Sequence, residues 1–538
     1  MKLAVESGLV TAGPIRQMSR FLPKMLIVPL YFIIAAFYFW VNQEIRPVWL
    51  DEALTYYQVA DRSFSDLIRS FDLGVNLLPY GYFVFPWAIG QFVELDSLPL
   101  RLPSLIFGIL SLLVAHSLLA RHFGKLIALF VVVVTFLVAS DYSFYFAEAR
   151  PYSLYMLAAG LHLYSSFKLA SNNDRWSWCG NAITAALFPS VQFVGLVYSF
   201  AIAAALAISI KDRRLLFRKL SSYAVGWAIF LVIHAKLLWI IFSGKSLSDP
   251  DAFARPTITR VVREFNRFYE LPHEISVCLI GLVAIAYAVK RLDCSEIEKS
   301  CRPKDIRFPP LVYIASCIAW LLVPLGLKLV AAVGFVNLTI PRYLLPTLYA
   351  DAMATGLLLY ATYAMVAQQI GSCATPRLQQ HGNVASKSII VAMLGFTLIV
   401  NMAIQCRVVS AMRIGGTEHF GRKLLINQES NLPFYTTDAH NFFAYAYHSR
   451  VTNSQNIYLV IGDEVIQSWR EFAPEVHYMS VSDLLTEKEP FYLKTQNSSL
   501  ADEEKDGLIE RLRESGRELQ ISQQADDEAL YYVNKRIE

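Results

Sequence analysis

Two carboxylates stand side by side at Asp51 and Glu52, inside Pro47-Val-Trp-Leu-Asp51-Glu52-Ala-Leu-Thr-Tyr56-Tyr57. A second acidic cluster follows about ninety residues on, in Asp141-Tyr142-Ser-Phe-Tyr145-Phe-Ala-Glu148-Ala-Arg150-Pro151-Tyr152. Acids converging from two loops suit general-base work, or the holding of a cation or a sugar hydroxyl. The plainer alternative is a set of solvated interface charges, with Asp51 capping a short helix. Cations that could meet a phosphate are Arg342, whose planar fork matches one, and Lys236, set in an apolar run two residues after His234. An unpaired lysine at that depth costs at least about 2.5–3.5 kcal/mol. Lys328 is a weaker candidate, equally explained by a long side chain reaching the interface. His116 and His162 read as satisfied core residues. Tyr56, Tyr57, Tyr145 and Tyr152 are candidates for stacking on a sugar ring.

The elements that must position these residues lie in a membrane. The 538 residues are 55% hydrophobic and 17% charged, with mean hydropathy +0.39, against about 25% charged in soluble chains. A net charge of +4 gives no case for nucleic-acid binding. The seven cysteines form no CxxC pair and read as packing residues. A span needs roughly 20 apolar residues. Candidate spans fall near 22–41, 103–120, 125–140, 151–169, 176–189, 191–210, 219–243, 273–290, 309–333, 345–368 and 388–405. The predicted fold class is therefore an all-α polytopic membrane protein with about eleven helices.

Basic residues mark the cytoplasmic side. Arg16, Arg20 and Lys24 precede the first span, and four later basic loops fall on the same face if the spans alternate. The opposite face then carries a first outer loop at about 42–102, the short loop at 141–150, and the end of the chain. Tyr80-Gly-Tyr-Phe-Val-Phe-Pro-Trp87 is too short to span and is expected to lie flat at the membrane surface. The first span lacks a cleavage site and reads as an anchor. From about 406 the composition turns polar. Strands are expected at Ile457–Ile461 and Ala529–Val533, and a helix at Asp506–Ser515. The predicted organisation is a transmembrane unit at 1–405 and a small extracytoplasmic α/β domain at 406–538.

Four motifs carry a resemblance: Trp49-Leu-Asp51-Glu52-Ala, Arg101-Leu-Pro-Ser104, Glu148-Ala-Arg150-Pro-Tyr152 and Pro341-Arg342-Tyr343-Leu-Leu-Pro346. In this order and topology the chain resembles the GT-C membrane glycosyltransferases that use polyprenyl-phosphate sugars, over residues 25–350. It is most similar to the bacterial branch related to protein O-mannosyltransferases and aminoarabinose transferases. The resemblance implies that Asp51 is the catalytic base and that Glu52 supports it. It also places Glu148, Arg150 and Tyr152 near the donor, and its late motif supports Arg342 as a phosphate contact; Asp141, Lys236 and Tyr343 are further candidate donor or phosphate contacts. Where that family often has a basic residue ahead of a Pro-Pro pair, this chain has Asn76-Leu-Leu-Pro79-Tyr80.

The implied reaction moves a sugar from a polyprenyl-phosphate donor to a glycan, lipid or protein acceptor outside the cytoplasm, in a bacterial inner membrane. It needs no nucleotide, and the chain has no P-loop and no GxGxxG after a strand. No cofactor is required, although paired acids could hold Mg²⁺ or Mn²⁺. The competing readings are a transporter or lipid flippase, which favours inverted repeats, and a lipid-linked polysaccharide ligase with a large basic outer loop.

Overall fold

The computed structural model describes residues 24–243, 310–332, 341–373 and 432–534, with short gaps, and parts of 395–407. The expected span at 273–290, most of that at 388–405, and the arginine-bearing loop at 244–272 lie outside the described residues.

The helices in chain order are α1 (Lys24–Ile45), α2 (Leu50–Val59), α3 (Phe64–Asp72), α4 (Val84–Gly90), α5 (Ser97–Phe123) and α6 (Lys125–Val132). There follow α7 (Tyr152–Ser171), α8 (Arg175–Val191), α9 (Gly195–Ser209), α10 (Arg213–Ile233), α11 (Ala235–Phe242), α12 (Pro310–Ala332) and α13 (Thr347–Cys373). Among the described residues, α5 and α10 are by themselves long and apolar enough to cross a membrane. The apolar stretches within α1, α6, α9 and α12 are shorter.

Three boundaries differ from expectation. The second span begins at Ser97, so Arg101-Leu-Pro-Ser104 lies inside helix α5 rather than at its start. The run expected at 125–140 is α-helical only to Val132 and continues as a π-helix over Val133–Val138, in a stretch rich in β-branched residues that crowd a regular helix. The run expected at 219–243 breaks at His234, which ends α10 and precedes α11.

The spans are tied by polar side chains as well as by apolar packing. His162 on α7 bonds Thr184 Oγ1 on α8 at 3.2 Å and Ser199 Oγ on α9 at 3.0 Å. Asn181 on α8 accepts from Ser166 at 3.0 Å and donates to Ser222 on α10 at 2.9 Å, while Tyr223 donates to Ser166 at 2.8 Å. Where α8 and α10 cross, Gly226 admits the backbone of the other helix: a Cβ there would stand 2.5 Å from the Ala182 carbonyl oxygen. His162 is thus a satisfied core residue.

The C-terminal strands are β1 (Phe434–Thr436), β2 (Ile457–Ile461), β3 (His477–Ser480), β4 (Phe491–Gln496), β5 (Leu519–Ala525) and β6 (Glu528–Val533). They form one sheet in the order β3-β2-β1-β4-β6-β5. The first four run parallel, and β6 and β5 add an antiparallel edge. Helices α14 (Val481–Thr486) and α15 (Asp502–Glu514) cover one face, burying Val460, Leu484, Leu493, Leu508, Leu512 and Val533 together. Alternation along β2 turns Leu459 the other way, into the main core shared with the helical unit. There Tyr447 packs edge-on to Tyr56 at 5.0 Å between ring centroids, and Phe443 meets Tyr57 at 5.5 Å. Both tyrosines belong to α2, so the C-terminal sheet is seated on the helix that carries Asp51.

Candidate active site

Trp49 is extended (φ −108°, ψ 175°) and α2 starts behind it. Asp51 and Glu52 therefore occupy the first turn, where carboxylates are favoured by the helix dipole. Glu52 reaches back towards the Trp49 N–H at 3.4 Å, the return half of a capping box. Asp51 is not the cap. Adjacent helical residues point in different directions, and these two acids meet different partners.

Glu52 turns inward and is fully buried. Its carboxylate accepts Arg101 Nε at 2.7 Å and Nη2 at 2.6 Å, and the Ala149 N–H at 2.8 Å. Arg101 Nη1 donates to Gln43 Oε1 at 2.8 Å. Ser104, one turn along α5 from Arg101, lies beneath Arg150 with its hydroxyl 3.4 Å from that carbonyl, and bonds Tyr82 at 2.9 Å. The Arg-Leu-Pro-Ser spacing thus sets on one helix face the partner of Glu52 and a contact to the second loop. Loop two itself is a 3-10 helix over Asp141–Ala147 followed by a tight turn, in which the Arg150 N–H meets the Glu148 carbonyl at 2.7 Å.

Asp51 turns outward and stays 14% exposed. Its Oδ2 lies 2.9 Å from Arg342 Nη1 and 3.7 Å from Arg150 Nη2. Arg150 Nη1 also donates to the Asp51 carbonyl at 3.1 Å. Arg342 projects from a 3-10 turn over Pro341–Tyr343, just ahead of α13. Its guanidinium carbon lies 5.7 Å from the Tyr152 ring centroid and 5.8 Å from that of Tyr343. Burial is the largest influence on Arg150 and opposes its charge, but Asp51, Tyr152 and Glu148 together hold the group above its ordinary value. For Arg342 burial is likewise overcome by Tyr152, Asp51, Tyr343 and Glu148 together. Arg150 Nε, Arg342 Nε and the Tyr152 hydroxyl are buried without a hydrogen-bond partner. Three donors from two segments are therefore left over beside one carboxylate.

Asp51, Arg150, Tyr152, Arg342 and Tyr343 thus come together, and Glu148 is buried close enough to favour the charge on both arginines. Glu52 supports this group from below and does not face it. Lys236 stands apart, two-thirds exposed and paired with Asp72 at the end of α3. Asp141 opens the 3-10 helix, but its side chain lies outside the described residues, as does that of Lys328. Tyr56 and Tyr57 are buried against the C-terminal aromatics, which corrects their reading as sugar-stacking residues, while Tyr145 packs on Tyr152 at 5.0 Å. Asn76, in place of the family's basic residue, donates to Gln58 Oε1 at 2.8 Å and has its own Oδ1 3.3 Å from the Leu78 N–H. It serves the local turn. Sequence reasoning missed Arg101 and Ser104 as site supports, although their three-residue spacing carried the signal.

Among the described residues both Glu52 oxygens are taken, and Asp51 faces two guanidiniums. Among the described residues no group of three His, Cys, Asp or Glu side chains could hold a metal.

No protein-family model and no curated protein sequence matches the chain. Solved structures do. ArnT from Cupriavidus metallidurans, bound to undecaprenyl phosphate, superposes with a TM-score of 0.53 at 12% identity, over 95% of this chain and 98% of that one. The same protein in its apo state gives 0.54 at 12% identity, over 94% and 98%. The chain shares the fold of that protein. The Archaeoglobus fulgidus oligosaccharyltransferase is also similar, with a TM-score of 0.45 at 13% identity over 84% of this chain and 64% of that one.

Proposed function

We propose that the protein is a membrane glycosyltransferase that moves one sugar from a polyprenyl-phosphate donor to an acceptor outside the cytoplasm. The observation that carries this reading is the single Asp51 oxygen shared by Arg342 and Arg150, with three unpartnered donors beside it. A lone carboxylate needs no more than one guanidinium. Two arginines and a tyrosine hydroxyl match a phosphate, which offers three acceptor oxygens. The fold shared with ArnT, solved with undecaprenyl phosphate, agrees with a lipid phosphate as the ligand.

The residues divide the reaction between them. Arg342 and Arg150 neutralise the donor phosphate, and Asp51 stands beside them. Tyr152 donates its hydroxyl to a phosphate oxygen, and Tyr343 borders the same space. Asp51 takes the proton from an acceptor hydroxyl as that oxygen bonds to the anomeric carbon. The carbon–phosphate oxygen bond breaks, and polyprenyl phosphate leaves with the electron pair. One base and one displacement invert the anomeric centre. Fixed positive charge at the leaving oxygen stabilises the transition state. Glu148 keeps the two guanidiniums from repelling one another apart.

On this reading the rim and the C-terminal domain lie on the outer side of a bacterial inner membrane, and the distribution of basic residues among the loops supports that side. Mass spectrometry of cell-envelope glycans from a deletion strain tests the proposal. One species should lose the mass of one sugar relative to the parent; an unchanged glycan profile would overturn it.

A further inference from the structure

The C-terminal domain holds a cavity of about 340 Å³ lined by Tyr458, Arg470, Val476, His477 and Tyr478. We infer that this cavity binds an anionic sugar unit of the acceptor, at a distance from the hydroxyl that reacts. The inference rests on the glycosyltransferase reading above.

The cavity lies between the two cores. Tyr458 and His477 are cross-strand partners on β2 and β3, with rings 5.2 Å apart and inclined by 33°, and Tyr458 packs towards the sheet's own core. Val476 and Tyr478 belong to the core shared with the helical unit. An edge of the sheet thus presents aromatic rings and a valine as an apolar wall, with Arg470 and the exposed His477 as polar groups. Aromatic faces suit the C–H face of a sugar. A guanidinium beside an imidazole suits a carboxylate or phosphate carried on that sugar.

The cavity is also linked to the reacting centre. Arg470 shares one helical turn with Phe472, which is fully buried. Phe472 lies 6.0 Å from the Arg62 guanidinium carbon of the first loop and 6.0 Å from the Phe443 ring. Tyr478 meets Phe442 at 6.0 Å, Phe442 meets Phe443 at 5.2 Å, and Phe443 meets Tyr57 on the Asp51 helix. Three ring contacts and less than two turns of α2 separate the cavity from the base. A sugar held there is a remote part of an extended acceptor, and its binding energy serves to place the reacting hydroxyl.

Saturation-transfer NMR on the full-length protein in detergent tests this, with glucuronate, glucose 6-phosphate and glucose as probes. Glucuronate or glucose 6-phosphate should give a signal that glucose does not, and the stronger of the two identifies the charged group. Arg470→Ala should weaken that binding about tenfold or more and leave the fold unchanged by circular dichroism. Asp51→Asn should leave it intact. Equal signals from all three probes, no signal at all, or an unaltered signal in Arg470→Ala would overturn the inference. Because the measurement reads binding without turnover, its failure leaves the glycosyltransferase reading standing. Binding by the parent protein with no sugar transfer from a polyprenyl-phosphate donor would instead strike at that reading.

Discussion

Arg101 grips both oxygens of Glu52, with Nε at 2.7 Å and Nη2 at 2.6 Å, and neither side chain reaches solvent. The same carboxylate accepts the Ala149 N–H. One buried ion pair therefore joins the start of α2, helix α5 and the second loop, and so fixes Asp51 relative to Arg150. Removing one partner leaves the other charged, buried and alone, which costs about 3–5 kcal/mol. Arg101→Ala and Glu52→Ala should each lower thermal stability in detergent by that amount, while Glu52→Leu combined with Arg101→Met should recover most of it. If the double variant proves as unstable as the sum of the single ones, the pair is not the joint described here.

Arg342 is only partly buried and its loss leaves no enclosed charge, so its role is read in binding rather than stability. Arg342→Ala should weaken binding of undecaprenyl phosphate, measured by native mass spectrometry, by about tenfold or more, with little change in unfolding temperature. Arg342→Lys should recover only part, because an ammonium cannot bond in two directions at once. Unchanged affinity in both variants would remove the arginine from the phosphate site.

His162 makes a contrast in magnitude. Its two hydrogen bonds join three helices, yet polar contacts between membrane helices average about 0.6 kcal/mol each. Thr184 keeps other hydrogen-bond partners when His162 is removed. His162→Leu should therefore cost about 1–2 kcal/mol by unfolding in detergent and leave transfer intact. A loss as large as that at Glu52 would show that the polar ladder carries more of the fold than its bonds suggest.

The seat between the C-terminal domain and α2 is aromatic and apolar. Phe443→Ala removes a fully buried ring that touches Tyr57, with a cost of about 3–5 kcal/mol to that contact. Limited proteolysis should then cut between the two units faster than in the parent protein. Equal rates would show that the domains are held elsewhere.

Much of this was legible in the residues. The run Ile457-Tyr-Leu-Val-Ile461 followed by Gly-Asp read as a strand and is β2, and several of the apolar runs, such as 103–120 and 151–169, fall on helices of the described residues. The break at His234 and the π-helical stretch after Val132 were not legible, since hydropathy counts apolar residues without registering backbone geometry. Asp51 and Glu52 read as a catalytic pair because they are adjacent. Helical geometry separates them, and that consequence of spacing was available from the sequence. The tie between Asp51 and Arg342, 291 residues apart, was not readable from spacing, because only the folded bundle brings their loops together; it came from the resemblance alone. Lys236 stood out as an expensive charge in an apolar run, but Asp72, its partner, lay in a loop with no pattern to announce it.

The central claim is that Asp51 removes the acceptor proton. Its most direct test is the glycan profile of a deletion strain complemented with Asp51→Asn, whose product must first be shown to reach the membrane at parental abundance. The amide keeps the size and the contact to Arg342 but is not a base, so turnover should fall at least about a hundredfold, and the missing sugar should stay missing where the parental gene restores it. Restoration by Asp51→Asn at a parental rate would contradict the account.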